Sequence, residues 1–185
     1  MVGEGARSRR QLLRVSAAAG AAAALGGCGG SAHAHRRMRD AVSDHDVALL
    51  NRSLGLERSA IAAYTAGIPL LAGRNKLIAT EFLKQELLHA GRLIALIDAL
   101  GGPAAGRPES YALGRPRTPR QVVELLHDVE RVQIAAYLEA IAQLSGGHLR
   151  ADVASILADD AQHVAIIRRA LGEVPVPTAF PSGAE

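Results

Sequence analysis

The sequence predicts an all-α protein, a four-helix bundle with one long crossover between the second and third helices. Composition is the first sign, because 49% of the residues are hydrophobic, only 3% are aromatic and Trp is missing. Four long segments with apolar residues at helical spacing are separated by Gly and Pro. The one long connection is rich in Pro and Gly and comes between the second and third of these segments in the sequence. A chain of 185 residues suits one such domain plus a leader or tail.

Residues 1–28 are predicted to be a twin-arginine signal peptide that ends in a lipobox. Arg9 and Arg10 open the export motif, and an Ala-rich run over 15–25 follows. That run is too short for a membrane span, which needs about 20 apolar residues. Small residues precede Cys28, the only Cys in the chain, as in a lipidation site. The alternative is an ordinary signal peptide with an incidental Cys. A lipid anchor on Cys28 at the extracytoplasmic side of the cell membrane is the favoured interpretation, with residues 29–42 as a flexible tether.

The charge distribution argues against nucleic-acid binding. The formal net charge is +3, with 21 basic and 18 acidic residues. Four of the basic residues and one acid precede Cys28, which leaves 17 of each sign from there onward. The body of the protein therefore has no basic stripe for phosphates.

The first hairpin of helices is predicted from its caps and breakers. Helix one should begin at Ser43, a good N-cap, and stop near Gly67 and Pro69. Helix two should run from about residue 75 to 100, where the Gly101-Gly102-Pro103 sequence closes it. A short connection makes the two helices antiparallel neighbours.

The second hairpin follows a Pro-rich crossover over residues 103–118, which is long enough to run the length of the bundle. Thr118 is the predicted N-cap of helix three, with Gln121 completing a capping box. Helix four is expected from about residue 149 to 171. The bundle is thus predicted over 43–172, with a Pro-rich tail over 173–185.

An internal repeat carries the chemistry. The segment Glu57–Tyr64 in helix one matches Glu130–Tyr137 in helix three at an offset of 73. An acid-x-x-His motif recurs in helices two and four, at Glu86–His89 and Asp160–His163, at an offset of 74. Each hairpin therefore supplies one acid and one acid-x-x-His. Two hairpins related by a pseudo-twofold axis would bring all six side chains together.

The spacing suits metal binding. Residues three apart lie about 60° apart around a helix, so each acid and its His share a face. Several of these acids lie on apolar stripes, as Glu57 does between Leu54 and Ile61. Buried carboxylates without partners are costly, and cations would compensate them. The alternative is a solvated face or a buried network of salt bridges and hydrogen bonds. Tyr64 and Tyr137 are expected on the same inward stripe, two turns from the acids.

These residues resemble the ferritin-like di-metal carboxylate superfamily, which includes ferritins, rubrerythrins and manganese catalases. Within it, the chain is most similar to exported ferritin-like domains of bacterial envelopes. The resemblance covers roughly residues 43–172 and implies that Glu86 or Glu130 bridges two ions. Asp160 departs from the usual Glu and predicts unequal coordination of the pair. The six implied ligands are Glu57, Glu86, His89, Glu130, Asp160 and His163.

The resemblance implies a centre of two iron or two manganese ions. The favoured function is that of an oxidoreductase, either a ferroxidase or an enzyme that reduces peroxide or oxygen. The alternative is a non-catalytic envelope protein that uses the bundle for metal binding or partner contact, since fold alone does not fix activity. Metal ions and the membrane are the expected partners, and a homodimer is left open.

Overall fold

The computed structural model describes residues 29–184, so the predicted signal peptide, with Arg9, Arg10 and Cys28, lies outside the described residues. All regular structure in this range is helical, and the all-α prediction is confirmed. A short 3-10 helix, Ile68–Leu70, joins the first two long helices. The four long helices are α1 (Gly29–Gly67), α2 (Gly73–Ala99), α3 (Pro119–Gln143) and α4 (Gly147–Leu171).

α1 begins at Gly29, well before the predicted start at Ser43. The stretch predicted as a flexible tether is therefore helical. Its sequence offers a physical reason, because Ala, Arg and Met are strong helix formers and Pro is absent from it. Ser43 lies inside the helix, and its hydroxyl donates to the carbonyl of Leu100 over 3.1 Å instead of capping α1. Neither α1 nor any other described helix is both long and apolar enough to cross a membrane.

The ends of α3 and α4 follow from local sequence. The Thr118 side chain accepts a hydrogen bond from the backbone N–H of Gln121 over 3.2 Å, as the capping box predicts. The returning bond differs, because the Gln121 side-chain oxygen accepts from the N–H of Arg117, one residue before the cap. α4 ends at Leu171 and is capped by Gly172, whose φ of 82° is a left-handed conformation that Gly adopts without strain.

The crossover between α2 and α3 is fastened along α1. The Asn51 amide donates to the carbonyl of Pro103 over 3.0 Å and accepts from the N–H of Ala105 over 2.6 Å. Two turns further along α1, the Arg58 guanidinium donates to the carbonyls of Ala105 and Gly106. Arg58 thus holds the crossover at the surface of the bundle, while the side chain of its neighbour Glu57 is fully buried.

The tail folds back over the second hairpin. The Arg168 guanidinium donates to the carbonyl of Val174 over 2.8 Å. Further along, Gly183 approaches α3 so closely that a Cβ there would lie 2.5 Å from the carbonyl oxygen of Arg131. A side chain at position 183 would therefore push the tail away from α3.

Two apolar clusters divide the core along the bundle. One cluster includes Leu50, Leu54 and Leu93 and lies at the end of the bundle where the crossover leaves α2. The other includes Tyr64 and Phe82, and both clusters draw side chains from all four helices. The predicted polar residues fall between these two clusters in every helix, so the bundle encloses a polar layer between apolar ones.

Candidate metal centre

The structure brings all six predicted ligands into this polar layer. Each long helix contributes an acid, and α2 and α4 each add a His. The four acids have 0% exposure and His163 has 1%. The His89 side chain is 11% exposed, which makes it the most exposed of the six candidate ligands.

The six side chains form two overlapping groups that could each hold a metal ion. In each group, one candidate ligand atom from every member lies within 4.8 Å of the others. The smaller group has three members: Glu57, Glu86 and His89. The larger group has four: Glu86, Glu130, Asp160 and His163. Glu86 belongs to both groups and Glu130 to only one, so the geometry favours Glu86 as the bridge. The two groups are also unequal in the number of candidate ligands, and the group that contains Asp160 has more of them.

Both imidazoles point Nδ1 toward the carboxylates. His163 Nδ1 lies 3.1 Å from Glu130 Oε1 and 3.3 Å from Glu86 Oε1. His89 Nδ1 lies 3.4 Å from Asp160 Oδ1 and 3.8 Å from Glu86 Oε1. Nδ1 is therefore the candidate ligand atom of each His.

The outward nitrogens of the same rings have acceptors that the sequence reasoning missed. His163 Nε2 lies 2.9 Å from Gln85 Oε1, and His89 Nε2 lies 3.3 Å from Asp159 Oδ2. An acceptor on Nε2 fixes the tautomer that leaves Nδ1 free to bind a metal. The signal was present in the sequence, because Gln85 and Asp159 are themselves related by the offset of 74. Phe82 stacks on the His163 ring, with centroids 3.9 Å apart, and holds its plane.

The two tyrosines connect the halves of the bundle. Tyr64 donates to Glu130 Oε1 over 2.6 Å, and Tyr137 donates to Glu57 Oε1. Each Tyr thus bonds the acid of the other half rather than the acid seven residues before it. In this arrangement one oxygen of each Glu is held and the other is left for an ion.

Gln133 is a further residue that the sequence reasoning missed. Its amide donates to Glu86 Oε2 over 3.0 Å, and its side chain is only 1% exposed. It lies three residues after Glu130 and therefore faces the same way. The internal repeat did not indicate Gln133, because the matching position in α1 is Ala60.

The donor set fits a pair of cations. Six buried ligand atoms have no hydrogen-bond partner within the described residues, and five of them are carboxylate oxygens. Such groups are costly to bury unless a partner compensates them. Carboxylate and imidazole ligands without thiolate suit iron or manganese. The atoms are Glu57 Oε2, Glu86 Oε1, Glu130 Oε2, both Asp160 oxygens and His89 Nδ1.

Without cations, the acids compete for protons. Burial, and then repulsion from Glu86, raises the pKa of Glu130 to about 7. Burial and neighbouring acids raise the pKa values of Glu57 and Asp160 well above their usual range. Burial also acts on Glu86, but its contacts with His163 and other donors outweigh it and lower its pKa. Burial opposes protonation of His163, yet contacts with Glu130 and Glu86 outweigh it and raise the pKa to about 10. The cluster therefore holds protons at neutral pH that cations would displace.

Comparisons with known proteins agree with this architecture. The model of the ferritin-like domain family matches residues 45–173. A conserved hypothetical protein from Mycobacterium tuberculosis is similar at 21% identity, with a TM-score of 0.68 over 76% of this chain and 99% of that one. A ferritin-like, diiron-carboxylate protein from Bacillus anthracis is similar at 23% identity, with a TM-score of 0.64 over 70% of this chain and 97% of that one. At these identities the two structures show a shared fold. No curated protein sequence matches the chain. The family match covers more than half of the chain and part or all of each long helix, and the chain belongs to the ferritin-like domain family.

Proposed function

We propose that this protein binds two iron or two manganese ions between its four helices and acts as an oxidoreductase. The observation that supports it is Glu86, which belongs to both candidate ligand groups. A carboxylate shared in this way can join two cations, whereas a buried hydrogen-bond network would leave fewer oxygens unpaired. When bound, such a pair supplies electrons and Lewis acidity for ferroxidase activity or for reduction of dioxygen or peroxide.

The protein's own side chains prepare this site. Tyr64 and Tyr137 hold Glu130 and Glu57 by one oxygen each, so the free oxygens stay oriented without an ion. The outer acceptors on the histidines fix the imidazole tautomers. Exposure of 0% for all four acids keeps bulk water out, which strengthens the electrostatic interaction with a cation.

Consumption of dioxygen and of peroxide by the metal-loaded protein tests this function. We expect protein reconstituted with Fe(II) or Mn(II) without oxygen to hold two ions per chain and to consume at least one of these oxidants. The Glu86→Gln variant, loaded in the same way, is expected to be inactive. Metal binding without consumption of either oxidant would favour the non-catalytic metal-binding alternative, and a protein that binds no metal would leave only a buried polar network.

We also propose that the protein is exported by the twin-arginine pathway and anchored to the membrane through a lipid on Cys28. The support is sequence alone: Arg9-Arg10 followed by an apolar run and small residues before the Cys. The Cys28→Ser variant should move from the membrane fraction to the soluble extracytoplasmic fraction, because it removes the thiol that would carry the lipid chain. Ser31→Ala, just past the predicted cleavage point, is the matched control and should stay with the membrane. A Cys28→Ser protein that still fractionates with membranes would rule out the lipid anchor.

A further inference from the structure

A polar cleft leads from the surface to the candidate centre between α2 and α4. Its volume is about 490 Å³. The two helices pack much less closely against each other than either packs within its own hairpin. The lining includes His89 and Arg92 from α2 and Asp152, Ser155 and Asp159 from α4. The cleft thus joins solvent to a predicted metal ligand.

The inner end of the cleft is formed by His89 and Asp159. His89 is the only one of the six ligand candidates with more than 1% exposure. The Asp159 side chain is 29% exposed, and its Oδ2 lies 3.3 Å from His89 Nε2 and 3.5 Å from His163 Nε2. One carboxylate therefore faces solvent on one side and both imidazoles on the other.

An ion pair spans the outer end. Arg92 donates to Asp152 Oδ1 through Nε over 3.0 Å and through one terminal nitrogen over 2.8 Å. The same terminal nitrogen reaches Asp152 Oδ2 over 2.8 Å. This bidentate contact ties α2 to α4 and places a positive charge where a cation would have to pass.

A second cavity beside the site suits a cation poorly. It touches Tyr64 and Phe82, has a volume of about 30 Å³ and is lined mainly by apolar side chains. A hydrated divalent cation gives up its water only to oxygen or nitrogen ligands, and the wall of that cavity has no carboxylate or imidazole among its lining side chains. The α2–α4 cleft presents two carboxylates and an imidazole along its length.

We propose that divalent cations reach the centre through the α2–α4 cleft, that Asp159 binds them in transit, and that Arg92 restrains their uptake. The inference rests on the proposed function, because it needs a metal centre to lead to. A cation at Asp159 exchanges water for carboxylate oxygen next to His89. Rotation of the His89 ring, the one ligand with access to solvent, then opens the way to Glu57 and Glu86. Arg92 opposes this traffic by repulsion and by keeping Asp152 paired.

Two charge variants test the route with opposite signs. Asp159→Asn should slow metal loading about tenfold, and Arg92→Gln should speed it by a similar factor, since charges lining a cleft change on-rates by 10-fold or more. Loading is followed by stopped flow with Mn(II) or anaerobic Fe(II), and release by transfer to a chelator. Arg120→Gln and Glu124→Gln, which break an exposed ion pair at the start of α3, are the matched controls and should load at the parent rate.

The rates of loading and release together distinguish two roles for Asp159: binding a cation on its way to the centre, or only positioning the histidines. Asn keeps a side-chain oxygen that can accept from His89 Nε2, so Asp159→Asn removes the charge and leaves the support of the imidazole in place. A group that lowers a barrier does so in both directions, so this variant should slow loading and release equally and leave the dissociation constant unchanged. Loss of a partner that only positions His89 would weaken the affinity, typically 10- to 100-fold, with no change in the loading rate. That second result would overturn the proposal.

A steric variant tests the cleft without altering charge. Ser155 is exposed and lines the cleft, whereas Ala154 is exposed on the same helix outside it. Ser155→Trp should slow both loading and release while two ions still bind, and Ala154→Trp should behave like the parent. Equal rates for the two Trp variants, or an unchanged rate in either charge variant, would overturn the proposed route and leave the two-metal centre standing. A parent protein that binds no metal would instead refute the centre, and the route with it.

Discussion

Replacing Glu86 by Gln is expected to abolish binding of both metal ions. Glu86 is the one residue shared by the two candidate ligand groups, so its loss removes a ligand from each ion. The drop in affinity should exceed the roughly 10- to 100-fold typical of losing an outer hydrogen bond to a ligand. Glu57→Gln, which touches only the smaller group, should retain one ion. Elemental analysis after reconstitution and desalting gives the stoichiometry directly.

The control for this experiment is the same substitution elsewhere on α2. Glu81 is exposed and pairs with Lys84 at the surface, so Glu81→Gln should still bind two ions. Circular dichroism should show that Glu86→Gln is folded, because Gln has nearly the size of Glu and its side-chain oxygen can still accept from Gln133. If Glu86→Gln held one ion as tightly as the parent, Glu86 would not be the bridge.

The metal-free protein is expected to lose stability as the pH rises from 5 to 9. Glu130 has a folded-state pKa of about 7, above its usual 4.5, so it favours the folded state when protonated. That contribution is complete below pH 4.5 and is lost as the pH rises through 7. His163, raised from 6.5 to about 10, acts in the same direction: its contribution is complete below pH 6.5 and is lost through pH 10. Glu86, whose pKa is lowered, affects stability only below pH 4.5. Burial lowers the pKa values of His89 and His127, and these two groups oppose the trend only below pH 6.5.

The size of this effect follows from the shift on Glu130 alone. A pKa change of that size corresponds to about 3 kcal/mol. For a domain of this length, that is roughly 10 °C in melting temperature. Two bound cations should reverse the trend, because they replace the protons and bind the ionised carboxylates.

Scanning calorimetry at pH 5, 7 and 9, with and without Mn(II), measures both effects. The gain in melting temperature from metal should be largest at pH 9. Glu130→Gln, which cannot ionise at that position, should show a weaker pH dependence in the metal-free state. A metal-free melting temperature that is constant or rises over this range would contradict the assignment of buried, proton-bearing acids.

Local patterns predicted most of the fold from the sequence. The breakers at Gly67, Gly101 and Gly146 lie within a few residues of real helix ends, because Gly and Pro act on their own neighbours. The start of α1 was misplaced. A good cap residue such as Ser43 only permits a helix to begin, and the residues before it are themselves helix formers.

The candidate site was predictable to the extent that it repeats. The offsets of 73 and 74 identified six side chains that the structure brings into one layer. Gln133 was not predicted, because the matching position in α1 is Ala60, which carries no polar group. In the structure its amide donates a hydrogen bond to Glu86. The crossed bonding of the tyrosines could not be derived from helical spacing, since it depends on how the two hairpins pack against each other.

Anomalous diffraction from crystals of the protein loaded with Mn(II) or Fe(II) tests the central claim most directly. Two peaks are expected within the polar layer: one among Glu57, Glu86 and His89, the other among Glu86, Glu130, Asp160 and His163. Both should lie within about 2.0–2.2 Å of oxygen or Nδ1 atoms, with Glu86 touching each. An empty layer at full reconstitution, or a single peak that Glu86 does not touch, would contradict a two-metal centre bridged by Glu86.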